Sequence, residues 1–405
     1  MRSFVAVPAD PPLEVLGALQ AALSGNGPAV LPVAEALAGP VAMGIVPRAV
    51  AVVIETSGST ATPKRVMLST DALLASAAAT SLALGGDGQW LLAVPAHYVA
   101  GVQVLVRSIA AGTTPIVLPA GHFDPELFAD SAEQLTEPLR FTSLVPVQFA
   151  RLLEAARINH RILSVLRRFT GILVGGQALR PELIELADFL DLRLVRTYGS
   201  SETAGGCVYN GHPIGDAQVR VVGGELEISG SMLALGYQDD GSRTSERFIE
   251  ESGVRWYRTG DLGEVDADTG LVRVLGRADN VIISGGEKVS LDAVERVVRT
   301  LPGLAEAVVL GVDDAEWGQV PVVVVAPTVA PTVAPSVGEA TGGMSRAGAT
   351  PDQPGTSAVP LERIREFVGE ALGKAARPAR LVEVAQIPLL ASGKPDRQTL
   401  ADLIR

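Results

Sequence analysis

The sequence predicts an α/β protein with a large N-terminal domain of layered sheets, which includes a small β-rich subdomain, and with a small α+β domain at the C-terminal end. Three observations support this fold class. Apolar strands alternate with amphipathic helices in the first half, short alternating strands follow them, and a glycine turn then leads into a further helix. A length of 405 residues suits one large domain and one small one.

Buried strands and helices are expected to alternate along residues 51–190. The apolar run at 51–56 predicts a strand, and a helix is expected to follow Ser69 or Thr70, either of which can cap it. Similar units follow: WLLAVP before the helical VQVLVRSIAAG, TPIVLP before a loop, FTSLVP before VQFARLLEAAR, and GILVGG before LRPELIELADFL. Nearly continuous apolar strands indicate sheets that are largely buried.

The pattern changes near residue 212. The segments AQVRVVGGELEISG and GLVRVLGR alternate over short lengths, which predicts the β-rich subdomain. Next, NVIISGGEKVS predicts a strand and a glycine turn, and a helix is expected to begin near Ser290. We therefore predict an N-terminal domain at 1–277 and a C-terminal domain at 278–405.

Residues 326–358 are rich in Ala, Pro, Thr and Gly and contain a tandem APTV repeat. This composition cannot bury enough apolar surface to offset the entropy of ordering, so we predict a flexible insertion. The helical stretch LERIREFVGEAL after it is expected to complete the small domain.

Composition argues against several classes of function. A formal net charge of −12 disfavours a basic surface for nucleic acid or anionic membrane. The single cysteine, Cys207, allows no internal disulfide, and the four histidines lack metal-binding spacing. No signal peptide is evident, and polar residues interrupt the most apolar stretch, at 91–110. We expect a cytoplasmic protein with no membrane span and no nucleic-acid partner.

The segment from Thr56 to Lys64, TSGSTATPK, places five hydroxyl groups, one glycine and one lysine after a predicted strand. Backbone N–H groups, hydroxyls and one cation can surround phosphate oxygens in such a loop. Taken alone, the segment could equally be a polar turn, and it does not match the GxxxxGK[ST] pattern.

Its order of residues resembles the phosphate loop of the adenylate-forming superfamily of acyl-CoA synthetases, luciferases and peptide-synthetase adenylation domains. Ala61 and Arg65 stand where that family often has glycine. Five further segments resemble the family's motifs and occur in the family's order: YGSSET from Tyr198, YRTGD from Tyr257, GRAD from Gly276, SGGEK from Ser284, and SGKPDR from Ser392.

The resemblance implies ATP, Mg²⁺ and coenzyme A as co-substrates and cofactors, a carboxylic acid as substrate, and a mobile C-terminal domain. It implies that Ser201 binds the α-phosphate, Glu202 helps to hold Mg²⁺, and Lys394 bridges the substrate carboxylate and the α-phosphate. Asp279 would be the pivot between domains, and Tyr98 would border the acyl site. The remaining implied nucleotide and CoA contacts are Thr56, Ser57, Gly58, Ser59, Thr60, Lys64, Gly176, Tyr198, Gly199, Asp261, Arg277, Gly285 and Gly286.

We therefore expect an AMP-forming acid–CoA ligase. The short N-terminal region and the segment from Ala96 to Ser108 resemble the actinobacterial o-succinylbenzoate:CoA ligases of menaquinone biosynthesis. Three alternatives stay open: a ligase for another aromatic or aliphatic acid, an enzyme that loads a carrier domain, and an inactive nucleotide-binding scaffold. The sequence also leaves open whether the chain forms a homo-oligomer.

Overall fold

The computed structural model describes residues 1–37, 39–56, 64–327, 359–390 and 394–404. By residue contacts the chain divides into two compact units. The first comprises Met1–Thr259 and Gly263–Val274, and the second comprises Gly260–Leu262 and Leu275–Arg405. Apart from residues 326 and 327, the predicted insertion lies outside the described residues.

Strands and helices alternate through the first unit. In chain order they are β1 (Arg2–Pro8), α1 (Pro12–Leu23), β2 (Ala29–Val33), β3 (Val41–Val46), β4 (Val50–Thr56), β5 (Lys64–Ser69), α2 (Thr70–Leu84), β6 (Gln89–Leu92), α3 (Val99–Ala111), β7 (Ile116–Val117), α4 (Pro125–Ala132), β8 (Arg140–Leu144), α5 (Pro146–Ile158), α6 (His160–Arg167), β9 (Gly171–Val174) and α7 (Pro181–Phe189).

A more β-rich part follows, and its last strand ends at Arg277. Its elements are β10 (Leu194–Ser200), β11 (Gly205–Tyr209), β12 (His212–Pro213), β13 (Gln218–Val222), β14 (Glu225–Ser229), β15 (Gly236–Tyr237), α8 (Gly241–Arg247), β16 (Phe248–Glu251), β17 (Val254–Val265) and β18 (Val272–Arg277).

Three sheets result, as the prediction of layered sheets with a β-rich subdomain requires. The first has the order β15-β5-β4-β2-β1-β3, and the second has the order β12-β11-β10-β9-β8-β6-β7. In the third, the order is β13-β14-β17-β16, with β18 on β17. Strands β6, β8, β9 and β10 pair in parallel, and helices α2 and α3 pack between buried faces of the first two sheets.

Local signals set the ends of the elements. The Ser69 hydroxyl accepts a hydrogen bond from the Ala72 N–H at 3.0 Å, so the predicted cap of α2 is confirmed. Gly85 ends this helix in the left-handed conformation, with a φ of +87°. The predicted strands at 51–56 and in WLLAVP, FTSLVP and GILVGG are also confirmed, as β4, β6, β8 and β9.

The second unit is a small α+β domain. Its elements are β19 (Val281–Ser284), β20 (Glu287–Ser290), α9 (Leu291–Arg299), β21 (Val308–Asp314), β22 (Gly318–Val325), α10 (Leu361–Leu372), β23 (Arg380–Glu383) and α11 (Arg397–Ile404). The sheet order is β20-β19-β22-β21, with β23 parallel to β22. Helices α9 and α10 pack on one face of this sheet and α11 on the other. The helix after Ser290 and the helix LERIREFVGEAL are confirmed as α9 and α10.

Among the described residues, no helix combines the length and the apolar character that crossing a membrane requires.

Candidate active site

Strands β4 and β5 hold the two ends of the predicted phosphate loop. Thr56 ends β4, Lys64 begins β5, and the two residues are paired across the antiparallel ladder. The Thr56 hydroxyl donates a hydrogen bond to the Lys64 carbonyl oxygen at 3.4 Å. The other predicted phosphate contacts lie outside the described residues: Ser57, Gly58, Ser59 and Thr60.

Glu202 is buried beside two donors. Lys64 Nζ lies 2.8 Å from Glu202 Oε1, and the Tyr237 hydroxyl donates to the same oxygen at 2.8 Å. The Glu202 side chain is 3% exposed, whereas that of Lys64 is 28% exposed. The structure therefore brings together two residues of the predicted ATP site, Lys64 and Glu202, and adds Tyr237, which belongs to none of the sequence motifs.

The two donors keep Glu202 ionised. Burial alone would raise the pKa of the Glu202 carboxyl, but the Lys64 ammonium and the Tyr237 hydroxyl favour the carboxylate, and the pKa lies below its ordinary value of 4.5. At neutral pH the site is thus a buried anion that already has a cation 2.8 Å away.

A pH dependence of stability follows from this shift. Because the pKa is lower in the folded than in the unfolded chain, the contribution of Glu202 is present above pH 4.5 and is lost as pH falls through the folded pKa. Glu202→Gln should therefore show a smaller loss of melting temperature between pH 6 and acid pH than the wild type. If the wild type and Glu202→Gln lost equal amounts of melting temperature over this pH range, the lowered pKa of Glu202 in the folded state would be contradicted.

The turn that carries Ser201 and Glu202 is a 3-10 turn, Ser201–Thr203, with a fixed backbone. The Thr203 hydroxyl accepts from the Ser200 N–H at 2.9 Å and donates to the Gly205 carbonyl at 2.7 Å.

Ala204 follows this turn in the left-handed conformation with a φ of +49°. Its carbonyl accepts from two helix side chains, Ser76 Oγ of α2 at 3.1 Å and Gln103 Nε2 of α3 at 2.7 Å. Ser201 itself is 8% exposed.

Tyr198 and Gly199 lie near the end of β10, paired with β11. Gly199 has no room for a side chain, because an added Cβ would lie 2.0 Å from the Gly205 carbonyl oxygen. Gly176, after β9, is exposed and has a φ of +84°, which favours glycine. These glycines therefore have a structural reason to be glycine, and their contact with a nucleotide stays a prediction.

Gly199→Ala should destabilise the first unit by about 1 to 3 kcal/mol, since the backbone of β11 would have to move. Thermal or urea unfolding measures this cost. Gly17→Ala is the matched control: an added Cβ there meets nothing within 4 Å in helix α1, so stability should be unchanged or slightly raised. An equal response of the two variants would contradict the close approach of β10 and β11.

Tyr98 occupies the N-cap position of helix α3 with an extended backbone and no side-chain capping bond, and its ring lies 4.1 Å from the ring of His97. Burial raises the pKa of Tyr98 and lowers that of His97, so both side chains are neutral at physiological pH. The pair therefore forms a half-buried aromatic surface at the N-terminus of α3.

Two turns along the same helix, Arg107 is buried, with 6% of its surface exposed. Its guanidinium stacks 4.9 Å above the Trp90 ring, and its Nη2 lies 3.5 Å from the Tyr209 hydroxyl. Within the described part of the chain, no carboxylate lies in salt-bridge range of Arg107, and both its Nε and the Gln103 Oε1 are buried without a hydrogen-bond partner. Burial also lowers the pKa of Arg107, although arginine stays charged.

No sequence motif assigns a role to Arg107. One signal was available, since Arg107 is the only charged residue in the helix sequence VAGVQVLVRSIAA. A single charge in an otherwise apolar buried helix is costly and usually needs a partner.

In the second unit, the side chains of Asp261 and Arg277 contact each other, and both residues were predicted to bind the nucleotide. Arg277 Nη1 donates to Asp261 Oδ1 at 3.2 Å, and Nη2 donates to Asp279 Oδ2 at 3.0 Å. These bonds, with that to Asp279 first, raise the pKa of the guanidinium. Asp292 Oδ2 accepts from the Arg277 N–H at 2.7 Å, which fixes the backbone of this segment.

Gly285 and Gly286 form the two-residue turn between β19 and β20, with φ values of +57° and +84°. Positive φ at both positions is the requirement of a type I′ hairpin turn, so glycine is favoured. An added Cβ at Gly285 would lie 2.6 Å from the Trp317 ring, so the turn packs closely against this aromatic side chain. The backbone of the turn is itself exposed.

Lys394 is exposed, and its carbonyl oxygen accepts a hydrogen bond from the Leu390 N–H at 2.8 Å. Three residues later, Arg397 Nη2 lies 2.6 Å from Glu295 Oε2, and Nη1 donates to the Val309 carbonyl at 2.6 Å. Arg397 thus anchors the C-terminal segment to the sheet of the second unit.

The donor set fits a magnesium ion bound with a nucleotide. Among the described residues no group of three His, Cys, Asp or Glu side chains could hold a metal ion alone. Mg²⁺ in nucleotide sites usually takes one or two carboxylates, with phosphates and water as the other ligands. Glu202 could supply such a carboxylate, since its position already accommodates a cation, the Lys64 ammonium.

Two family models match the chain. One, described as AMP-binding enzyme, matches residues 19–238, and the other, AMP-binding enzyme C-terminal domain, matches residues 293–394. The chain belongs to the AMP-binding enzyme family.

Curated relatives agree with this membership. This AMP-binding enzyme is 36% identical over 395 residues to a Mycobacterium tuberculosis protein named “Probable 2-succinylbenzoate--CoA ligase”, and the match covers 95% of this chain and 94% of the relative. It is 33% identical to the 2-succinylbenzoate–CoA ligase of Bacillus cytotoxicus, over 67% of this chain and 59% of that protein.

Solved structures share the fold. The o-succinylbenzoate CoA synthetase of Bacillus subtilis, in complex with an acyl-adenylate, aligns with a TM-score of 0.71 at 23% identity, over 95% of this chain and 80% of that one. An amide bond synthetase from Marinactinospora thermotolerans aligns with a TM-score of 0.70 at 24% identity, over 99% of this chain and 80% of that one. The predicted two-domain α/β class is thereby confirmed.

Proposed function

We propose that this AMP-binding enzyme is an ATP-dependent o-succinylbenzoate–CoA ligase, which acts in menaquinone biosynthesis in the cytoplasm. Family membership supports the AMP-forming ligase chemistry. The M. tuberculosis relative, which matches over 94% of its length, supports the choice of acid.

The environment of Arg107 is the observation that supports o-succinylbenzoate as the substrate. o-Succinylbenzoate has two carboxylates, and activation of the succinyl carboxylate leaves the ring carboxylate as an anion. Arg107 is a buried cation for which no described residue supplies a counter-charge. An unpaired buried charge is unfavourable, whereas a carboxylate that makes two hydrogen bonds to arginine is a strong contact.

Helix α3 gives this contact a suitable position. Gln103 Nε2 holds the Ala204 carbonyl beside the turn that carries Ser201 and Glu202. Arg107 follows Gln103 by one helical turn, a separation of about 6 Å between side chains. An acid that lies along α3 could therefore place one carboxylate near the turn and the other near Arg107.

In the first half-reaction, an oxygen of the succinyl carboxylate attacks the α-phosphorus of ATP, and the bond to the pyrophosphate oxygen breaks. The protein has to position two anions and neutralise their charge. We assign Lys64 and Ser201 to the phosphates and Lys394 to the carboxylate and α-phosphate. Glu202 would hold Mg²⁺, which when bound neutralises charge on the leaving pyrophosphate.

Other side chains orient the nucleotide and the acid. We assign Tyr198, Gly199 and Gly176 to the adenine and its surroundings, and Asp261 with Arg277 to the ribose. An ionised carboxylate accepts hydrogen bonds only, which suits two ribose hydroxyls. Tyr98 would border the acyl group.

In the second half-reaction, the CoA sulfur attacks the acyl carbon, the bond to the AMP oxygen breaks, and the thiol proton is released. We assign the exposed turn at Gly285 and Gly286 to this step, since a backbone without side chains allows close approach of the pantetheine chain.

The test is release of pyrophosphate from ATP with a panel of acids, with and without CoA, and mass spectrometry of the products. We expect o-succinylbenzoate to be preferred and o-succinylbenzoyl-CoA to form. An acyl-adenylate that never reacts with CoA would favour the carrier-loading alternative. Absence of pyrophosphate with every acid would favour the inactive scaffold.

A further inference from the structure

We propose that Tyr237 is a positioning residue, which holds the Glu202 carboxylate in place for the divalent cation that enters with ATP. The inference rests on the proposed function. Its basis is the hydrogen bond from the Tyr237 hydroxyl to Glu202 Oε1 at 2.8 Å. Tyr237 is 4% and Glu202 is 2% exposed, so the bond is protected from water.

The backbone also fixes Tyr237 relative to Glu202. Tyr237 lies opposite Val66 in the pairing of β15 with β5, and its N–H donates to Thr244 Oγ1 at 2.9 Å. The segment leading into β15 is tied to the turn itself, because the Ala234 N–H donates to the Glu202 carbonyl at 2.8 Å. The hydroxyl and the carboxylate are thus held by two strands and a turn.

Lys64, the second partner of Glu202, has a different character. Its side chain is 28% exposed, and it is the last residue of the predicted phosphate loop, so a bound triphosphate competes for its ammonium. Tyr237 is buried and keeps its contact when Lys64 turns to phosphate. Neither of these two side-chain contacts uses Oε2, the oxygen that we assign to the cation.

The decisive variant is Tyr237→Phe, which removes one oxygen and keeps the ring. Loss of a partner that orients a metal ligand typically lowers metal affinity about 10- to 100-fold. We therefore expect the dissociation constant of Mn²⁺, measured by electron paramagnetic resonance with the wild-type and variant enzymes bound to α,β-methylene ATP, to rise about 10-fold or more. The Mg²⁺ concentration for half-maximal pyrophosphate release should rise in parallel, and saturating Mg²⁺ should restore most of kcat.

Tyr209→Phe is the control for loss of a buried hydroxyl. Among the described residues, the Tyr209 hydroxyl bonds Thr80 at 2.9 Å and accepts from Arg107 Nη2 at 3.5 Å, and it does not contact Glu202, so Mn²⁺ affinity should not change in this variant. A lower melting temperature of Tyr237→Phe with unchanged Mn²⁺ affinity would overturn the inference, because the bond would then be structural only. A wild-type enzyme that releases no pyrophosphate would overturn the proposed function, while the Mn²⁺ comparison would still decide the role of Tyr237.

Discussion

Arg107→Leu is expected to remove the preference for the dicarboxylic acid. The matched substrates are o-succinylbenzoate and 4-oxo-4-phenylbutanoate, which lacks only the ring carboxylate. Removal of one member of a buried charged pair typically costs about 3 to 5 kcal/mol, which corresponds to about two to four orders of magnitude in kcat/KM. The variant should lose this factor with o-succinylbenzoate and little with the monocarboxylic acid.

The thermal stability of Arg107→Leu should not fall with its activity. In the free enzyme Arg107 is buried with an unpartnered Nε, so leucine removes an unfavourable group and unfolding should be unchanged or shifted to higher temperature. Arg107→Lys is the companion variant, and it should recover only part of the activity, since lysine lacks the planar pair of donors. Unaltered discrimination between the two acids in Arg107→Leu would remove Arg107 from the acyl site.

Features encoded by neighbouring residues could be predicted from the sequence. Ser69 caps α2 through an N–H three residues away, and the two glycines at 285 and 286 specify a tight turn between paired strands. Helix α10 begins and ends where the apolar periodicity does, at Leu361 and Leu372. Each of these depends on contacts within a few residues, so a local pattern is sufficient.

Contacts between distant segments could not be read in the same way. Lys64 and Glu202 are 138 residues apart, and the family resemblance placed both at ATP without predicting their direct ion pair. Tyr237 lies on a two-residue strand that joins the first sheet, although its segment lies within the β-rich part of the chain. No periodicity marks so short a strand, so neither its pairing nor its contact with Glu202 was predicted.

Arg107 shows a different limit. In the sequence it only interrupted an apolar stretch, which argued against a membrane span. The proposed role of Arg107 depends on the absence of a counter-charge among the described residues packed around it. Such an absence is a property of the folded unit.

Lys394→Ala is expected to abolish acyl-adenylate formation and to spare thioester formation. In the proposed mechanism its ammonium contacts two oxygens whose charge changes when the carboxylate attacks the α-phosphorus, and loss of such a contact costs about 3 to 4 kcal/mol of barrier. The adenylation rate should fall about 10²- to 10³-fold. Conversion of supplied o-succinylbenzoyl-adenylate and CoA should proceed near the wild-type rate, since Lys394 has no assigned contact in that step.

The rates of the two half-reactions are measured in separate single-turnover assays on the same purified variant. Lys394→Arg should rescue little, because a planar guanidinium does not replace a compact ammonium at a confined site. Arg365→Ala is the control for loss of a surface charge in the second unit: its side chain is 42% exposed and, within the described ranges, pairs only with Glu362 one helical turn away, so both half-reactions should be unaffected. Equal losses in the two half-reactions of Lys394→Ala would mean that Lys394 supports the fold or a step common to both, and its assignment to adenylation alone would be wrong.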